Sequence, residues 1–102
     1  MNGIAPLRLG PGVGAATGAA SATLAVPTTA GGSAPENVYI TADTFNCYVR
    51  AGLTGDTVTN ATGAVVPANG PGLLLNVKGC THIIHLQGSG GAGRICVSPV
   101  EA

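Results

Sequence analysis

Residues 73–98 read LLLNVKGCTHIIHLQGSGGAGRICVS, and this stretch decides the fold class. Three apolar segments of strand length, 73–77, 81–86 and 94–98, are separated by Lys78-Gly79 and by the glycine-rich run 88–93. Alternation places Leu73, Leu75 and Val77 on one face, and Ile95 and Val97 on one face of the last segment. Ile84 and Leu86 share a face with His82, whereas Ile83 and His85 share the other. Each segment is too short for a helix and rich in β-branched residues, so the expectation is a series of strands joined by turns.

The same pattern extends upstream. Residues 38–41, 46–51, 57–59 and 64–66 read as strands, punctuated by Asp43-Thr44, by Gly52, by the turn 60–63 and by Pro67. Asn69-Gly70-Pro71-Gly72 is a further turn, and Pro99 is expected to stop pairing after the last strand. No window carries helical periodicity. About six to eight closely spaced strands predict an all-β domain, either a small antiparallel β-sandwich or a jelly-roll-like barrel, with immunoglobulin-like topology also open.

Composition changes near Glu36. Residues 1–35 are mostly Gly, Ala, Pro, Ser and Thr, too poor in large apolar side chains to fold alone. Their one strand-like piece is residues 22–26, stopped by Pro27. The expected organisation is an extended arm over 1–35 and a β-sandwich body over 36–102. The apolar side chains of the arm, Leu7, Leu9, Val13, Leu24 and Val26, are its candidate partner-binding residues. An arm suits strand addition to a neighbour's sheet edge, where main-chain hydrogen bonds supply affinity.

Of the 102 residues, four are basic and four acidic, and charged residues make up 8%, against roughly 25% in an ordinary globular chain. A surface that binds nucleic acid by neutralising phosphates is therefore excluded. The uncharged run between Arg8 and Glu36 holds too much Gly, Pro, Ser and Thr to span a membrane. It also lacks the continuous apolar core of a secretion signal, about 7–15 residues long. Three cysteines, an odd number, leave no complete intrachain disulfide set and fit reduced, half-buried thiols.

Three constellations could carry chemistry. Gly88 to Gly93 matches G-x-G-x-x-G, but a dinucleotide site needs a helix next, and residues 94–98 read as a strand. Cys47, Cys80, His82, His85 and Cys96 hold the right atoms for zinc. Yet His82 and His85 fall on opposite faces of one strand, and no C-x-x-C pair exists. Nucleophilic or acid–base catalysis needs groups brought together, and Glu36, Asp43, Asp56 and Glu101 are scattered among turns and termini. No catalytic residue, metal or cofactor is expected. Tyr39, Phe45 and Tyr48 could form a sugar platform, or simply supply the few aromatic side chains of the core.

Taken as a series, Tyr48-Val49-Arg50-Ala51-Gly52, Thr57-Val58-Thr59, Val66-Pro67-Ala68, Thr81-His82-Ile83 and Val97-Ser98-Pro99 resemble small tailed-bacteriophage virion proteins. The resemblance covers roughly residues 37–100 and departs in the cysteines and in the longer Gly/Ala-rich N-terminal part. It implies a capsid decoration or cement protein on the virion surface, assembled in the host cytoplasm. The implied partners are the major capsid protein and copies of the chain itself, as dimer or trimer. Two alternatives stand beside it. One is a tail, fibre-base or head-spike adaptor; the other is a soluble lectin-like ligand-binding module.

Overall fold

The computed structural model describes residues 8–101. Eight strands follow in order: β1 (Val13–Ala16), β2 (Ala22–Ala25), β3 (Asn37–Asp43), β4 (Cys47–Gly52), β5 (Ala64–Val66), β6 (Leu73–Asn76), β7 (His82–Gln87) and β8 (Arg94–Pro99). They form two four-stranded antiparallel sheets, β1-β8-β3-β6 and β2-β7-β4-β5, and no helix occurs among the described residues. Neighbours within each sheet are mostly distant in sequence, so register is set by the hydrophobic pattern rather than by tight hairpins.

The register explains the core. In the first sheet Val38 pairs with Leu75 and Pro99, Ile40 with Leu73 and Val97, and Ala42 with Ile95. In the second, Val49 pairs with His85 and Ala51 with Ile83. Paired residues share a face, and these inward faces bring Val38, Ile40, Val49, Val66, Ile83, Ile95 and Val97 to near-zero exposure. With so few aromatic side chains, the space between the sheets is filled by β-branched residues, which suit a pleated surface.

β7 breaks the simple alternation because Ile83, Ile84 and His85 are all buried. Ile84 points to the outer face, and the β4–β5 connection folds over that face. Arg50 Nη1 donates to Thr57 O at 3.0 Å, and Leu53 N donates to Asp56 Oδ2 at 2.8 Å, closing the first turn of this connection. Val58, 3% exposed, is the apolar plug of the cover. Residues 57–59, expected as a strand, are therefore a loop: Val58 is spent on the outer face of the second sheet instead of a ladder.

Two further differences concern the ends. Residues 1–7, and with them Leu7, lie outside the described residues. From residue 13 the N-terminal segment takes part in both sheets: β1 pairs with β8, and β2 pairs with β7. β2 falls where a strand was expected, whereas β1 was not expected at all. A segment too poor in apolar surface to fold alone is held here by sheet pairing. Thr17, 4% exposed, fastens the end of β1, with its Oγ1 accepting from Gly93 N at 2.8 Å and its N donating to Gly93 O at 2.9 Å. At the other end, pairing runs through Pro99, which is buried opposite Val38. The Pro99 carbonyl accepts from Gly10 N, while Val100 N donates to Asn37 O. The N–H that proline lacks is thus not one the β3 ladder requires.

Candidate functional site

The residues with chemical potential are dispersed by this architecture. Cys47 faces the core from β4, Cys96 is exposed on the outer face of β8, and Cys80 lies half-buried in the β6–β7 connection; all three are free thiols. Burial pushes the Cys47 thiol up to about 11, which leaves it protonated and unreactive near neutrality. His82 projects outward, its Nδ1 2.8 Å from Thr81 Oγ1 and 3.2 Å from Thr54 Oγ1. His85 faces inward, 2% exposed, with no hydrogen-bond partner at Nδ1. Among the described residues, no three His, Cys, Asp or Glu side chains gather into a metal-holding group.

The glycine-rich connection 88–93 has a structural job. It turns between β7 and β8 beside Phe45; a Cβ at Gly90, where φ is +109°, would sit 3.0 Å from the Phe45 ring. The loop is a seat for Phe45, and the chain continues directly into β8 rather than into a helix.

Of the candidate partner-binding residues, Val13, Leu24 and Val26 pack against the core of their own molecule. Leu9 bridges to Val100 and is 44% exposed. The described apolar side chains of residues 8–26 are therefore largely committed within the fold, and only Leu9 among them presents a sizeable apolar surface.

The two outer sheet faces differ. The first sheet's outer face carries Gly14, Cys96 and Thr41 in one cross-strand row and Ala16, Arg94 and Asp43 in the next. Its centre is open, since Cys96 is exposed. The second sheet's outer face is partly covered, and beside the cover lies a cleft of about 540 Å³. Tyr48, paired on either side with Val65 and Leu86, lines this cleft together with Leu86. Val58, Thr59 and Asn60 form one wall; Ala19, Ser21 and the segment 87–89 contribute the other residues. Two smaller clefts, about 370 and 350 Å³, lie against the β2–β3 connection. Beside the second, Glu36 and Lys78 form an exposed ion pair at 3.7 Å.

Neither the family models nor the curated proteins nor the solved structures compared with this chain gave a match.

The alternation in residues 73–98 located the core-facing side chains. The covered outer face was not foreseen, because Val58 is buried by the return of the β4–β5 connection over the sheet and not by a pattern along its own strand. The signal that was present is the run Ile83-Ile84-His85, in which no position is left for solvent.

Proposed function

We propose that this chain is a structural subunit of a bacteriophage virion that decorates the capsid and bridges neighbouring shell subunits. The observation that carries the reading is the strand order. The arrangement β1-β8-β3-β6 over β2-β7-β4-β5 is that of two interlocked Greek keys, the jelly roll that serves viral capsid domains as well as lectins. The step from architecture to particle is an analogy of fold, supported by the sequence resemblance and by the character of the surface. The outer face of the first sheet carries small side chains at Gly14, Ala16, Thr41 and Cys96, one pair of opposite charges in Asp43 beside Arg94, and the exposed Leu74 on β6, a mixture that suits packing against another protein. Many identical contacts on one particle let a weak individual interface hold firmly. Shell protein and further copies of this chain are the proposed partners.

Quantitative mass spectrometry of virions purified from the source culture tests this reading. A stoichiometry comparable with that of the shell protein supports decoration, and absence from particles refutes it. A ratio matching the tail components moves the subunit to a tail, fibre-base or head-spike position. A bulky maleimide on Cys96 should block attachment to shells if the first sheet's outer face is the contact.

A further inference from the structure

We propose that the cleft on the outer face of the second sheet binds a neutral saccharide. Its position is set by the fold: Tyr48 and Leu86 stand side by side on β4 and β7. Loop residues Val58 to Asn60 rise on one side, and Ser21 and Ser89 belong to connections at the end of the sheet. The cleft is open to solvent, and its volume of about 540 Å³ is that of a small-molecule site, roughly 300–1,000 Å³.

Three properties select the ligand class. The first is charge: no Lys, Arg, Asp, Glu or His lines the cleft. Nothing there offsets the desolvation of a phosphate, sulfate or carboxylate, so an anionic ligand is disfavoured. The second is the combination of an aromatic side chain with hydroxyls and an amide. A pyranose has a C–H face that stacks on an aromatic ring and an edge of hydroxyls that both donate and accept. Tyr48 supplies the ring; Asn60 supplies an amide with both donor and acceptor, and Ser21 and Ser89 supply hydroxyls.

The third property is that these groups are not otherwise used. Elsewhere in the molecule polar side chains hold the backbone. Tyr39 Oη accepts from Gly72 N, Asn46 Oδ1 from Ala68 N, and Asn76 Oδ1 from Lys78 N. Even at the cleft wall, Thr59 Oγ1 is engaged with Thr62 and Ala61. The side chains of Tyr48, Asn60, Ser21 and Ser89 make no such bond among the described residues, and each lines the cleft. The base of Tyr48 is held: a Cβ at Gly63 would lie 2.9 Å from Tyr48 Cβ and 2.7 Å from Val58 Cγ2. Gly63 thus lets the loop close against the base of Tyr48 and beside Val58, which brings the wall of the cleft up to the ring's strand.

Saturation-transfer NMR on the full chain with glucose, galactose, N-acetylglucosamine and N-acetylgalactosamine tests the proposal. Saturable binding of at least one sugar is expected, with amide shifts centred on residues 48, 58–60 and 86–89. Tyr48→Ala and Asn60→Ala should each weaken it about tenfold, and Tyr48→Phe should retain most of it. Asn60 is exposed, so its variant keeps the test valid if Tyr48→Ala fails to fold. Leu74→Ala, on the first sheet, should leave binding unchanged. No saturable binding by any of the four sugars, or binding indifferent to both the Tyr48→Ala and Asn60→Ala changes, overturns the proposal. Failure would not touch the decoration reading, whose contact face lies on the other sheet.

Discussion

His85 offers the most direct check on how this core is built. Its side chain is 2% exposed and turned inward between Val49 of β4 and Ala22 of β2, and Nδ1 has no partner. Cys47 is the titratable group on the same inner face, and its raised thiol stays neutral. The paired inner-face positions of both sheets hold no charged side chain. Desolvation therefore lowers the His85 pKa below its ordinary 6.5.

Linkage fixes the sign. Below about pH 6.5 the unfolded chain takes up a proton at His85 that the native chain refuses, so stability falls as pH falls. One full proton of difference corresponds to about 1.4 kcal/mol per pH unit. His85 therefore contributes a loss of stability as pH falls below about 6.5, with about 1.4 kcal/mol per pH unit as its ceiling. Ordinary carboxylates titrate lower, at about pH 4. Urea denaturation of the wild type and of His85→Leu across this range isolates the contribution. The variant should lose that part of the slope and gain about 1 kcal/mol near pH 7.5, since an unpartnered buried polar atom is removed. Equal slopes for the two proteins, or a native imidazole that titrates at its ordinary value by NMR, would refute the reasoning.

Other perturbations probe the remaining features. Deleting residues 1–17 removes β1 and the Thr17 clasp, and uncovers the edge of β8. The expected loss is about 3 kcal/mol or more from Val13 and its neighbours, read as a lowered urea midpoint or as aggregation on size exclusion. A truncated protein as stable as the full chain would show that β1 is dispensable. Thr17→Val keeps the shape but deprives Gly93 N of its acceptor, at a cost of about 1–3 kcal/mol, whereas Thr17→Ser should stay within a few tenths of wild type by thermal unfolding. Iodoacetamide with mass-spectrometric readout should label Cys96 in the native protein and Cys47 only after denaturation; rapid native labelling of Cys47 would contradict its place in the core.

Most of the body was legible in the sequence. Val38 to Ala42, Leu73 to Leu75 and Ile95 to Val97 alternate cleanly, because one face of each strand meets the core and the other meets solvent. β1 was not legible, since Val13-Gly14-Ala15-Ala16 has little β character of its own; its conformation is imposed by β8. Residues 57–59 misled for the opposite reason. Their β-branched content reads as a strand, but Val58 is used as a plug. Of the candidate cleft, Tyr48 was visible as one of three aromatics that could form a sugar platform, but Tyr39 stands on β3 of the other sheet and Phe45 in the β3–β4 connection. The neighbours of Tyr48 in the cleft, Ser21, Asn60 and Ser89, come from three separate connections, and no local pattern announces that they meet.

The strand order has a consequence for the timing of folding during synthesis. β7 and β8, which leave the ribosome after the other six strands, are inner strands of the two sheets and carry β2 and β1 as their outer neighbours. Until they emerge, β1 has no sheet partner, β2 has none either, and β3 and β4 each lack one of two. Nearly all the pairing is non-local, which slows folding. A nascent chain must therefore hold the apolar faces of the first six strands largely uncovered until β7 and β8 arrive to complete the two layers. Shortening the chain within β8 should consequently leave β1 without a partner and β3 paired with β6 alone, facing a complete second sheet across an incomplete layer open to aggregation.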